Sequence, residues 1–81
     1  MARPSMQALE HPELKKFGEA VRAVRQGLGL SQEALADLAG LDRSYMGGVE
    51  RGEHNVALIN LLKISKSLNY SLKELMSLAQ I

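Results

Sequence analysis

The sequence predicts an all-α domain of five short helices. Apolar residues recur at helical spacing, turn residues separate the helical segments, and no stretch alternates polar and apolar residues for long enough to form a strand. The chain has 81 residues, a length that allows one small domain. We therefore expect one helical domain with short connections.

The first predicted helix spans residues 13–26. Residues 1–12 contain Pro4 and Pro12 and no apolar periodicity, which predicts a flexible N-terminal arm. Pro12 is also compatible with a first helical turn, where its missing N–H is not needed. The helix is predicted from apolar residues at the 3,4,3,4 spacing of an amphipathic helix, namely Leu14, Phe17, Val21, Val24 and Leu28.

Two short helices follow, at residues 32–39 and 43–50. Ser31 and Asp42 are good N-cap residues for them, because a short polar side chain can accept a free N–H of the first turn. Gly40 suits the left-handed position that ends the first of the two.

The last two predicted helices span residues 58–68 and 72–79. Asn69 can close the first of them, and Ser71 with Glu74 forms the S-x-x-E capping box that begins the second. Residues 13–81 therefore form the predicted domain.

Charge and composition exclude several functions. Ten Lys/Arg against nine Asp/Glu give a net charge of +1, and residues 31–55 alone carry −3, so a polyanionic partner would have to be bound by a few well-placed cations. The chain contains no cysteine, which excludes disulfides and thiolate metal sites. No signal peptide or membrane-length apolar run is evident, and we expect a cytoplasmic protein.

No pattern indicates an enzyme. The sequence lacks an HExxH motif and a glycine-rich phosphate loop, and its two histidines, His11 and His54, are far apart. We expect no cofactor, no metal and no small-molecule ligand.

The second and third helices have the features of a helix-turn-helix. They meet at Gly40–Leu41–Asp42, a connection so short that the helices must cross steeply, and Ala36 and Ala39 are small enough for close crossing. Larger side chains are spaced to fill the angle between them, namely Leu35, Leu41, Met46 and Val49. Such a unit presents its second helix outward, toward a DNA major groove.

The stretch LSQEALADLAGLDRSYMGGVERG, residues 30–52, resembles the lambda Cro/repressor-like (XRE) family. LDRSYMGGVERGEHN, residues 41–55, is most similar to the controller proteins of restriction–modification systems. The resemblance extends from about Phe17 to Leu78. It implies a five-helix lambda repressor-like domain that binds double-stranded DNA as a homodimer, on an operator with dyad symmetry, and regulates transcription. The pattern departs from the family at Val56, Ala57 and Ile59, where the start of the fourth helix is apolar.

Four residues of the third helix are predicted to contact bases. If Met46 and Val49 face the core, a helical wheel turns Ser44 and Gly48 outward. Neighbouring glycines weaken an exposed helix, which favours close approach to a ligand. The residues predicted to contact bases are Arg43, Ser44, Tyr45 and Gly48; for Tyr45, packing against a neighbouring helix is an equal alternative.

Other polar residues are predicted to bind the DNA backbone. Gln32 lies at a helix N-terminus, where exposed N–H groups favour a phosphate, and the resemblance implies this role. The predicted phosphate ligands are Gln32, Arg22, Arg51 and Asn55. His54 occupies a loop position that is often basic in the family.

Two further predictions concern structure. Glu50 lies near the buried face of the third helix and needs a partner, and Arg25 matches the family position that forms an ion pair with it. The predicted dimer interface lies on the last two helices, at Leu72, Leu75, Met76, Leu78 and Ile81.

Two other functions fit the sequence. One is an antitoxin-like helix-turn-helix protein whose main role is to bind a protein partner. The other is a helical bundle that binds only protein, which the −3 charge of residues 31–55 favours.

Overall fold

The five predicted helices are confirmed in a computed structural model that describes residues 10–81. Most of the predicted arm, residues 1–9, lies outside the described residues. Within residues 10–81 there is no strand. The helices are α1 (Pro12–Gly27), α2 (Gln32–Ala39), α3 (Arg43–Glu50), α4 (Leu58–Ser67) and α5 (Leu72–Ala79).

Local side-chain caps begin three of the helices where the sequence predicts them. The Ser31 Oγ accepts the Ala34 N–H at 3.0 Å, and the Asp42 Oδ2 accepts the Tyr45 N–H at 3.2 Å. Each bond satisfies one of the N–H groups that a helix start leaves free, and such a cap stabilises a helix by about 1 kcal/mol.

The capping box of α5 is complete. Ser71 Oγ accepts the Glu74 N–H at 3.0 Å, and the Glu74 Oε1 accepts the Ser71 N–H at 2.9 Å. This backbone hydrogen bond holds the pKa of the Glu74 carboxyl below its usual value. The first turn of α5 is therefore defined by residues within it.

The turn between α2 and α3 is closed by backbone hydrogen bonds. Gly40 has a φ of +67°, a left-handed conformation that glycine adopts without a steric penalty. The Leu41 N–H then donates to the Ala36 carbonyl at 2.8 Å, as at many helix C-termini. The chain therefore changes direction within residues 40–42, and α3 packs against α2.

The core fills the angle between α2 and α3, as predicted. α1 packs against α3 and α5, and α4 packs against α2 and α5. The fully buried apolar side chains in this core include Leu35, Met46, Val49, Ile64, Leu68 and Leu75. The two helices of the motif are thus held on one core.

One predicted interface residue is corrected by the packing, and one residue of the apolar pattern is left exposed. Leu75 is 0% exposed and belongs to the core of the protomer, so it is not available to a dimer interface. Leu28 follows the end of α1 and is exposed. The position of the neighbouring helices determines which of these apolar side chains are covered.

The other predicted interface residues lie on two sides of α5 and just after its end. Leu72 and Met76 are half-buried against the core, whereas Leu78 and Ile81 are exposed. On a helical wheel Leu78 lies about 160° from Met76. The predicted interface residues therefore do not form one continuous face.

None of the helices in residues 10–81 has the length and apolarity needed to span a membrane.

Candidate nucleic-acid interface

The N-terminal end of α3 carries exposed polar side chains on a rigid support. Met46 and Val49 anchor the helix in the core at 0% and 1% exposure. Arg43 and Ser44, in its first turn, are exposed. Side chains at this end of an outward-facing second helix are those that reach base edges in helix-turn-helix proteins.

A polar depression lies between the start of α2 and the outer face of α3. It has a volume of about 340 Å³ and is lined by Gln32, Arg43, Ser44, Gly47 and Arg51. Four of the residues predicted to contact DNA therefore lie around one surface depression. Its two guanidinium groups and the amide and hydroxyl donors suit an anionic, hydrogen-bond-accepting ligand.

Arg25 and Glu50 lie together beneath this surface. The Arg25 Nε donates to Glu50 Oε2 at 2.6 Å and its Nη2 donates to Glu50 Oε1 at 3.0 Å. The remaining nitrogen, Nη1, donates to the Leu30 carbonyl at 2.8 Å. Both residues are buried, at 8% and 5% exposure. The pair joins the C-terminal ends of α1 and α3 to the loop before α2.

Gln32 extends this network to the surface. Its Nε2 donates to Glu50 Oε1 at 3.0 Å, and Gln32 is half-buried at the first position of α2. The hydrogen bond fixes the orientation of the amide, because one of its N–H groups is already used. The N-terminus of α2 is thereby held in a defined position beside α3.

Tyr45 packs within the protein, as one of the two alternatives predicted. Its ring stacks on His54 with centroids 4.8 Å apart, and its hydroxyl accepts the Asn60 Nδ2–H at 3.2 Å. These contacts join α3 to the following loop and to α4. Contact between Tyr45 and DNA stays a prediction.

The predicted base contact of Gly48 is corrected by the structure. Gly48 is buried, and a β-carbon at this position would lie 2.6 Å from Cδ2 of His54. The imidazole ring covers the face of α3 that a helical wheel turns outward. Gly47 is also buried and lies beneath the Arg51 guanidinium.

Arg51 is held by a neighbouring carboxylate. Its Nε donates to Glu53 Oε2 at 2.8 Å, and its Nη2 donates to Glu53 Oε1 at 3.1 Å. These hydrogen bonds raise the pKa of Arg51 and lower the pKa of Glu53 relative to their usual values.

Arg22 and Asn55 lie outside the depression. Both are exposed. Arg22 is on α1 between Gly18 and Arg25, whereas Asn55 borders a second depression at the start of α1. Their contacts with DNA stay predictions.

Three residues that shape this surface were not predicted to make these contacts. His54 covers Gly48, Asn60 binds Tyr45, and Glu53 binds Arg51. For His54, the available signal was Gly48 on the predicted outer face of α3, because a glycine leaves room for another side chain to cover the helix. No comparable signal pointed to Asn60.

Comparison with known proteins agrees with this geometry. Residues 21–75 match the model of the helix-turn-helix family. Control protein C.SmaI of Serratia marcescens is 48% identical over 61 residues, which cover 75% of this chain and 73% of that protein.

Solved structures of regulatory proteins are also similar to this chain. The restriction-modification controller protein C.AhdI from Aeromonas hydrophila matches with a TM-score of 0.78 and 54% identity, over 80% of this chain and 98% of that one. SinR, a master regulator for biofilm formation solved in complex with DNA, matches with a TM-score of 0.69 and 32% identity, over 73% of this chain and 95% of that one. The chain therefore belongs to the helix-turn-helix family of DNA-binding transcriptional regulators.

Proposed function

We propose that this regulator is sequence-specific and acts as a homodimer on a dyad-symmetric operator, as a control protein of the kind its relatives are named for. The depression beside α3 carries the proposal, because it combines exposed Arg43 and Ser44 with the start of α2. DNA is the expected partner in the cytoplasm, and the chain is assigned no catalytic role, cofactor or small-molecule ligand.

Within this surface, Arg43 and Ser44 read the sequence and the other polar residues hold the backbone. A guanidinium at the start of a recognition helix can donate two parallel hydrogen bonds to guanine O6 and N7. Gln32, at the start of α2, and Arg51, just after the end of α3, border the same depression. Contact with phosphates at these positions would orient the protein without selecting sequence. Arg22 and Asn55 are proposed to extend the backbone contacts.

Arg43→Ala is expected to reduce sequence discrimination. The binding free energy should weaken by about 1–3 kcal/mol for the operator and by much less for a scrambled duplex, because a base contact is made only with the matching sequence. Arg51→Ala should weaken binding to both duplexes about equally. It should also reduce the slope of log affinity against log salt, because one fewer phosphate contact releases fewer counterions.

Salt titrations of both variants on operator and scrambled duplexes measure this difference. The operator is first located by footprinting the DNA upstream of the chain's own gene. A uniform loss for Arg43→Ala across sequences would assign Arg43 to a phosphate and remove it from the residues that read bases.

Residues 13–81 are proposed to form the DNA-binding unit, with dimerisation through α4 and α5. The apolar side chains that the protomer leaves exposed there include Leu58, Ile59, Leu78 and Ile81. A two-fold axis that pairs these helices would present two copies of α3 about 34–36 Å apart, one DNA turn. Leu72 and Met76 are half-buried and can contribute only their outer edges.

Sedimentation is expected to show a dimer at tens of micromolar. The double variant Leu78→Lys with Ile81→Lys should shift the equilibrium toward monomer, because lysine ammonium groups would be desolvated in an apolar contact. Leu38→Lys on α2 is the control, since Leu38 is equally exposed but lies on another helix. A wild-type monomer that binds one half-site as tightly as a full operator would contradict the homodimer.

A further inference from the structure

Glu53 places a negative charge beside the surface proposed to bind DNA. Its two carboxylate oxygens accept the Nε–H and one Nη2–H of Arg51, at 2.8 and 3.1 Å. Five N–H groups are available on a guanidinium, and two of those of Arg51 are therefore engaged in the free protein. The ion pair lies at the surface, with side-chain exposures of 58% for Arg51 and 29% for Glu53.

The Arg51 guanidinium also borders the depression beside α3. Its Nη1 lies 3.1 Å from the position of a β-carbon on Gly47, over the outer face of the helix. Gln32 and Arg43 line the same depression. A phosphate placed there would accept from Nη1, which does not donate to Glu53, and would share the positive charge of Arg51 with the Glu53 carboxylate.

Among the residues that the structure describes, the Glu53 side chain is bonded to Arg51 and not to the rest of the fold. Within residues 10–81 its side-chain hydrogen bonds are made only with Arg51. An exposed ion pair contributes little to folding stability, and this one joins residues only two positions apart. The position is therefore free to serve binding rather than folding.

Glu53 also differs from other acidic residues of the helix-turn-helix. Residues 31–55 carry five acidic groups and two basic ones. The Glu50 carboxylate is buried against Arg25, and Asp42 caps α3. Glu53 instead lies at the surface and forms an ion pair with Arg51, one of the two arginines in residues 31–55.

We propose that Glu53 sets the affinity for DNA by competing with a DNA phosphate for Arg51. This inference rests on the proposed phosphate contact of Arg51. When DNA binds, Arg51 either leaves Glu53 and loses that ion pair, or keeps it and brings the carboxylate close to a phosphate. Both routes weaken binding, and they do so for every DNA sequence because phosphates are common to all.

Glu53→Gln is the test, since glutamine keeps the size of the side chain and removes its charge. Affinity should rise about 2- to 5-fold on operator and scrambled duplexes alike, the range expected for one exposed ion pair. The slope of log affinity against log salt should become steeper by up to about one per protomer, because Arg51 then displaces a counterion in full. A purely structural role would leave this slope unchanged.

Two controls assign the effect to Arg51. In an Arg51→Ala background, Glu53→Gln should change affinity much less, since the competing cation is gone. Glu19→Gln makes the same charge change at an exposed position of α1 on the side that faces α5, and it should leave affinity nearly unchanged.

Three results would overturn the proposal. A weaker affinity for Glu53→Gln would mean that the carboxylate orients Arg51 for binding. An equal gain with and without Arg51 would mean general repulsion between Glu53 and DNA. If Arg51→Ala alone leaves binding unchanged, the phosphate contact is absent and this inference fails, whereas operator binding through Arg43 stands.

Discussion

Arg25→Met is expected to lower the free energy of unfolding by about 3–5 kcal/mol, because it leaves a buried carboxylate without its cation. Glu50 is only 5% exposed and receives two hydrogen bonds from Arg25. Its remaining side-chain partner would be the neutral amide of Gln32. The Leu30 carbonyl would also lose a donor. This loss is a large share of the 5–15 kcal/mol that stabilises a typical protein.

Chemical denaturation of four variants tests this expectation. Glu50→Met should be similarly costly, since it leaves the guanidinium buried and unpaired. The free energy of unfolding of the double variant Arg25→Met with Glu50→Met should fall by less than the sum of the two single losses, because no uncompensated charge is left. Arg22→Met is the matched control, one turn earlier on α1 and exposed, and should change stability by no more than about 0.5 kcal/mol. Losses that small for the single variants at the ion pair would contradict the burial of the pair.

Gly18→Ala is also expected to lower the free energy of unfolding, by less than loss of either member of the buried ion pair. A β-carbon at Gly18 would lie 2.5 Å from the Glu50 carbonyl oxygen and 2.7 Å from its carbonyl carbon, and it would also overlap the Val49 carbonyl. These are backbone atoms of α3 that cannot rotate away, so α1 and α3 must separate. Overpacking of this kind costs about 1–3 kcal/mol, against the roughly 1 kcal/mol that alanine gains over glycine in a helix.

Gly27→Ala is the control for helix propensity. Gly27 also lies in α1, but a β-carbon there would have no neighbour within 4 Å. Denaturant midpoints should therefore fall for Gly18→Ala and stay level or rise for Gly27→Ala. Equal midpoints for the two variants would mean that α1 and α3 can separate at no cost.

Both predictions concern contacts that hold the C-terminal end of α3 against α1. Gly18 allows the backbone of α1 to approach the end of α3, and Arg25 fixes the same end through Glu50. On the opposite side, Tyr45 joins α3 to Asn60 of α4. The exposed Arg43 and Ser44 therefore project from a helix that is fixed on both sides, which limits the entropy lost when they bind.

The sequence alone determined the starts of three helices and the corner between α2 and α3. Ser31, Asp42 and Ser71 begin helices through bonds to residues three positions away, so their effect is visible in a short window of sequence. Apolar spacing identified Leu35 and Met46 as core residues for the same reason. The pairing of Arg25 with Glu50, 25 positions apart, came from family resemblance.

Only the tertiary structure decided which outward positions are covered and which polar groups meet. A helical wheel describes one isolated helix, and it cannot show that the His54 ring lies over Gly48 or that neighbouring helices enclose Leu75. The rotamers that bring Glu53 onto Arg51 are likewise not determined by spacing. Helix periodicity and caps depend on neighbours along the chain, whereas burial and side-chain pairing depend on neighbours in space.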